Sequence, residues 1–216
     1  MPVPAHPKIY HIVHVDRLAS IIQGGGLWCD AHIVHNGAAG TTIGMSSIKQ
    51  RRLQQLTLSC HPGLYVGQCV PFYFCPRSVM LYILHQANHP ELDYRGGQGP
   101  IIHLEADLRA TVTWAQQHRR RWAFTLSNAG SCYFEDRNDL AHLGDIEWDA
   151  VQARQWAGGY KEGKQAEFLV EGVFPWHLVE RIGVHSQAVY GQVVNLLPQG
   201  GGHRPHVEVK IDWYYQ

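Results

Sequence analysis

The sequence predicts an α+β protein, a sheet of mostly short strands with helices set irregularly among them. Short runs of β-branched and aromatic residues recur from one end of the chain to the other, bounded by Gly, Pro and Asn. Segments with helical spacing fall between them without the regular βαβα alternation of a doubly wound domain. No G-x-G-x-x-G follows a strand and no G-x-x-x-x-G-K-[ST] occurs, so neither common phosphate-binding loop of parallel-sheet proteins is present.

The elements follow in chain order. Ile9 to Val15 alternates β-branched and aromatic residues and predicts a strand, with Asp16 as the N-cap of a helix over Arg17 to Gln23, where Leu18, Ile21 and Ile22 share a face. Gly24-Gly25-Gly26 stops that helix. Cys29 to Gly44, rich in His, Gly, Asn and Thr and without periodicity, reads as a long loop. A helix is expected over Ser46 to Leu58, then strands at Leu64 to Val66 and Val70 to Phe74. Pro76-Arg77-Ser78 caps a helix over Val79 to Gln86, which Asn88-His89-Pro90 ends. Further on come a strand at Ile101 to Ala106, a helix at Leu108 to Gln117, a strand at Trp122 to Leu126 and a helix at Trp148 to Trp156. A strand carrying Gln165 and Glu167, and strands at Val179 to Val184 and Val207 to Asp212, complete the set.

The chain has 216 residues, 45% hydrophobic and 17% charged, with seven Trp and ten Tyr, which suits one globular domain over residues 1–216. Eighteen basic residues balance eighteen acidic ones, which excludes the whole-chain charge of a non-specific nucleic-acid binder. A nucleic-acid site would have to be local, at Arg51-Arg52 or at the run His118 to Arg121. Five Cys without a C-x-x-C pair or the spacing of a disulfide scaffold, and no stretch of membrane-spanning length, predict a soluble cytoplasmic protein without a membrane anchor. Among fifteen His no metal-site spacing appears; His11 and His14, three apart on a strand, point to opposite faces and do not share an ion. No metal is expected.

The segment Lys164 to Val170 carries the chemistry. On a strand Gln165 and Glu167 would share a face. A carboxylate beside the apolar run Phe168-Leu169-Val170 is costly to bury unless it holds something polar or cationic. One carboxylate assisted by one cation suits an oxocarbenium-like centre, as in cleavage of the nicotinamide–ribose bond. Taken alone, Glu167 is equally a strand-end carboxylate paired with Lys161 or Lys164. Arg51 and Arg52 are a solvated helix face, and His14 and Tyr73 are core residues.

Four co-linear motifs shift that balance. Ile9 to His14 with Gly25-Gly26-Leu27-Trp28, the run Ile48-Lys49-Gln50-Arg51-Arg52, the run Val70 to Ser78, and Lys164 to Val170 together resemble the DarT family of DNA ADP-ribosyltransferase toxins. The resemblance implies an ADP-ribosyltransferase fold with central split β-sheets, peripheral helices and long substrate-shaping loops. It implies NAD as co-substrate, transfer of ADP-ribose to thymidine, or in one branch guanosine, in single-stranded DNA, and a DarG-type macrodomain antitoxin that removes the mark; a monomer is expected. By position, Glu167 would be the catalytic glutamate and Arg51, with Arg52 as the alternative, would assist the attacking base. His14, Gly25, Tyr73 and Arg52 would bind NAD, and Arg77, Arg119, Arg120, Trp122 and Asn128 would contact DNA, with Trp122 and Tyr133 stacking bases. Two departures stand out: Phe124 to Ala129 lacks an expected acidic and Gly-containing stretch, and Val79 stands where proline is usual. A transferase of the same fold acting on RNA or protein, and a non-catalytic nucleotide-binding module, are the rivals.

Overall fold

A computed structural model describes residues 1–37 and 40–216. Ten strands are seen among them: β1 (Lys8–His14), β2 (Gly26–Trp28), β3 (Cys69–Tyr73), β4 (Ile101–Asp107), β5 (Trp122–Thr125), β6 (Asp136–Arg137), β7 (Glu167–Glu171), β8 (Val173–Pro175), β9 (Arg181–Val184) and β10 (His206–Val209). Eight of them form one sheet in the order β10-β9-β4-β1-β3-β7-β5-β6, antiparallel except for the β9–β10 pair, and β2 pairs with β8 in a small second sheet. Seven helices surround them: α1 (Leu18–Gln23), α2 (Asp30–Asn36), α3 (Ser46–Gln54), α4 (Val79–Gln86), α5 (Leu108–Gln117), α6 (Trp148–Gln152) and α7 (Gln187–Leu196). The α+β expectation holds.

The sheet is split in its middle. β1 pairs with β4 along its whole length but meets β3 at a single register pair, Tyr10↔Tyr73. Pro71 contributes to that break, because it has no N–H to give to a neighbouring strand. Instead the Nδ1–H of His11 donates to the Pro71 carbonyl at 2.8 Å, a side chain standing in for a missing ladder bond.

β7 is the strand that positions Glu167. It lies between β3 and β5 and is buried on both faces, as its unbroken apolar run requires. Phe168 and Val170 enter the main core, whereas Leu169 packs on the other face with Leu56, Leu58, Leu64, Val66 and Ala129. By the two-residue period Glu167 shares the Leu169 face, the side on which α3 and the chain after it pack. α3 has no buried residue and is held by close approach. A Cβ on Gly67 would lie 2.8 Å from Leu53 Cδ2 and 2.9 Å from its Cα, so glycine is what lets the Val66–Gln68 turn seat the helix.

Several expectations are corrected. Asp16 is not the helix N-cap: it lies within a 3₁₀ turn, and its carboxylate accepts the Thr41 N–H at 3.1 Å and the Thr41 hydroxyl at 2.7 Å. The expected loop from Cys29 to Gly44 contains α2; the part of it at positions 38 and 39 lies outside the described residues. Leu64 to Val66 makes only an isolated bridge, Thr57↔Tyr65, and the helix from Trp148 ends at Gln152. Gln165 closes a 3₁₀ turn over Gly163–Gln165, and the strand begins only at Glu167. α7 was not anticipated, although Ser186 caps it and Val189 and Val193 share its buried face.

Candidate active site

A cleft of about 670 Å³ opens at the split, with His11, Ile12 and Val13 of β1 on one wall and Pro71 and Tyr73 of β3 on the other. Glu167, in register with Tyr73, sits at its base. Glu167 is buried and each carboxylate oxygen has a partner: Oε1 accepts the Ala129 N–H at 3.1 Å and Oε2 accepts from the Arg52 guanidinium. Arg52 comes from the last turn of α3, where a cation also suits the helix dipole. Burial works against the Arg52 charge, but the Glu167 carboxylate outweighs it and the pKa is raised. Burial, and next the Glu167 charge, hold the Tyr73 phenol well above its ordinary pKa, so it stays neutral.

Arg51 lines the same cleft on different terms. Among the described residues no carboxylate pairs with it; its Nη1 lies 3.8 Å from Cys132 Sγ, and its Nε, like that of Arg52, is buried without a hydrogen-bond partner. Of two adjacent arginines, one is therefore spent on Glu167 and the other has a guanidinium to offer to a bound molecule. Asn128 and Gln165 also line the cleft and are bonded to each other, Asn128 Nδ2 to Gln165 Oε1 at 3.0 Å.

The remaining expected residues are placed as follows. His14 is not on the cleft wall; its Nδ1 lies 2.9 Å from Asp16, which in turn holds Thr41, a lining residue. Gly25 adopts φ +72° in the turn before β2, and its carbonyl accepts the Trp176 N–H at 2.8 Å, while Gly24 and Gly26 line the cleft. The Arg77 guanidinium stands 4.6 Å over the Tyr215 ring, outside the cleft. Arg119 and Arg120 precede β5, whose first residues pair with the far end of β7, so they lie a strand length, about 13 Å, from Glu167. Trp122 is corrected as a base-stacking residue: it is buried and stacks on Phe168. Tyr133, 82% exposed, has a free ring face.

Sequence reading missed His11, which takes the cleft wall that was expected for His14. Alternation along β1 shows that only one of the two faces inward, but not which. It also missed the ion pair of Lys49 with Asp30 at 3.0 Å, which ties α3 to α2 across the cleft rim. Among the described residues no cluster of three His, Cys, Asp or Glu side chains could hold a metal ion, and no helix is long and apolar enough to cross a membrane.

The cleft suits an extended molecule bearing phosphates: its volume is that of a typical ligand site, and its lining sets Arg17, Lys49, Arg51, Arg52 and Lys161 against the carboxylates of Asp30, Glu91 and Glu167, a surplus of positive charge. Comparison with known proteins agrees. The family profile described as "ssDNA thymidine ADP-ribosyltransferase, DarT" matches residues 10–215. A DNA ADP-ribosyl transferase of Thermus aquaticus is 38% identical over 216 residues, covering 100% of this chain and 91% of that protein. The structure of Thermus sp. 2.9 DarT in complex with ADP-ribosylated ssDNA superposes with a TM-score of 0.88 at 34% identity, over 100% of this chain and 99% of that one. The same protein in complex with NAD+ gives 0.83 at 33% identity, over 99% and 100%. A match along nearly the whole length, in both sequence and fold, leaves one assignment: the chain belongs to the DarT family of ssDNA thymidine ADP-ribosyltransferases.

Proposed function

We infer that this enzyme transfers ADP-ribose from NAD to a thymine base in single-stranded DNA and releases nicotinamide. The observation that carries the reading is the buried Glu167 carboxylate, held by Arg52 and the Ala129 N–H at the base of a cleft that also presents the unpaired Arg51. NAD is consumed in the reaction as a substrate, and the cleft has the size and the cations to receive it.

In this reading the bond between the anomeric carbon and the nicotinamide nitrogen breaks, its electron pair leaving with nicotinamide. A thymine ring nitrogen then bonds to that carbon, and the proton it carried passes to solvent. Glu167 stabilises the positive charge that develops on the ribose, and a fixed carboxylate in a water-poor site does so at little reorganisation cost. Arg51 steadies the attacking base through its carbonyl oxygen. Arg52 acts through Glu167 by holding it, and His14 and Gly25 contribute from behind the wall residues Thr41 and Gly26. Unpaired DNA is required because a base inside a duplex could not reach the cleft.

The chain works as one catalytic domain and as a monomer, and a DNA substrate supports a cytoplasmic setting. Its partner is a DarG-type macrodomain antitoxin that reverses the modification, as the family resemblance implies. Incubating the protein with NAD and single-stranded oligonucleotides of varied sequence, followed by mass spectrometry, is expected to show one added ADP-ribosyl group only on oligonucleotides containing thymine. Labelling confined to guanine, to RNA or to protein would replace the thymine assignment, and nicotinamide release without a labelled base would remove DNA as the acceptor.

A further inference from the structure

We infer that the segment from Thr125 to Cys132, with Asn128 as its keystone, is a positioning frame for the two catalytic groups and that Asn128 does not read a DNA base; this rests on the transferase reading above. The frame starts at Thr125, which is fully buried at the end of β5. Its hydroxyl donates to the Ser127 carbonyl at 2.6 Å and accepts the Glu167 N–H at 3.1 Å, so the first turn of the segment is bonded to the backbone of the catalytic glutamate. Asn128 Oδ1 accepts the Gly130 N–H at 2.7 Å, closing a turn of the kind Asn favours. Its Nδ2 donates to Gln165 Oε1, and Gln165 Nε2 donates to the Lys161 carbonyl, both at 3.0 Å. Between these two anchors the Ala129 N–H is delivered to Glu167 Oε1.

The other side of the frame meets α3. A Cβ on Gly130 would lie 2.8 Å from Ile48 Cγ2 and 3.0 Å from Asn128 Oδ1, so the turn has no slack against the helix that carries Arg51 and Arg52. Two residues on, Cys132 Sγ is the atom that Arg51 Nη1 contacts. One short segment thus touches the carboxylate of Glu167 and the guanidinium of Arg51. The Asn128 amide is engaged at both its oxygen and its nitrogen by protein, and Gln165 is a brace between the 161–165 turn and the frame. That gives Gln165 a role which does not require a place on the strand beside Glu167.

The test measures steady-state transfer to a thymine oligonucleotide, NAD hydrolysis in the absence of DNA, NAD affinity and thermal melting for Asn128→Ala, Gln165→Ala and the double variant. A displaced Glu167 predicts that kcat falls about 10²-fold while both KM values change by less than about 3-fold. NAD hydrolysis is expected to fall in parallel, and the double variant to be no worse than Asn128→Ala alone, because Gln165 acts on the frame through the Asn128 amide. A DNA contact would instead raise the oligonucleotide KM of Asn128→Ala and leave NAD hydrolysis unchanged, and that result, or additive losses in the double variant, would overturn the proposal. If Asn128→Ala does not fold, Gln165→Ala breaks the same bond from a half-buried site and carries the test. Wild-type transfer to the oligonucleotide, read in the same assay, reports on the transferase reading separately.

Discussion

Glu167→Gln is expected to lower nicotinamide release by about 10³-fold while NAD affinity stays within a few-fold, since the lost charge acts on the transition state far more than on bound substrate. The amide has one oxygen for two donors, the Ala129 N–H and the Arg52 guanidinium, and its NH2 accepts from neither, so one contact is lost while the side chain keeps its shape. The alanine variant is a poorer probe. With a side-chain exposure of 14% for Arg52 and 4% for Glu167, removing the carboxylate strands a buried guanidinium, and loss of one partner of a buried pair costs about 3–5 kcal/mol. The structure predicts a clear loss in denaturant or thermal melts for Glu167→Ala, and a smaller loss for glutamine, whose oxygen keeps one of the two donors. Nicotinamide release, quantified by chromatography beside those melts, checks both halves. Release within tenfold of wild type for Glu167→Gln would remove Glu167 from the chemistry.

The adjacent arginines are expected to separate in the opposite senses. Arg51→Ala should lower kcat by about 10²- to 10³-fold, the usual loss when a fixed donor to a reacting oxygen is removed. Its stability should change by no more than about 1 kcal/mol, because no ion pair is broken. Arg52→Ala should destabilise the fold by about 3–5 kcal/mol, because it leaves the Glu167 carboxylate buried beside Ala129 with no countercharge. Chemical denaturation of both variants with parallel transfer assays distinguishes them. A stable Arg52→Ala and an unfolded Arg51→Ala would mean that the two roles had been exchanged.

How much of this was legible in the sequence depends on the range of the interaction. The β1, α4, α5 and β7 segments were readable because each buries a face whose period, 2 or 3.6, is written locally, and Ser78 announces the start of α4. The place of Glu167 on a buried strand was legible for the same reason. α2 was not, because it buries nothing and so has no apolar stripe to read. Gln165 was misread as strand because Gly163–Gln165 turns before the pairing with β3 and β5 begins at Glu167. Trp122 sits beside three arginines and looks like a surface aromatic, yet alternation along β5 carries it into the core against Phe168. Which arginine meets Glu167 is a contact across 115 residues that no local spacing encodes.

The narrow joint between β1 and β3 ties catalysis to the lifetime of the protein. The two halves of the sheet are linked there by one register pair and one imidazole, and the cleft runs along that seam. NAD bound in that cleft deepens the native well by RT ln(1 + [NAD]/Kd), about 2.7 kcal/mol at a hundredfold excess over Kd. A cell depleted of NAD thus holds a slower enzyme and a less stable one, which makes the supply of substrate a brake on how long the activity persists.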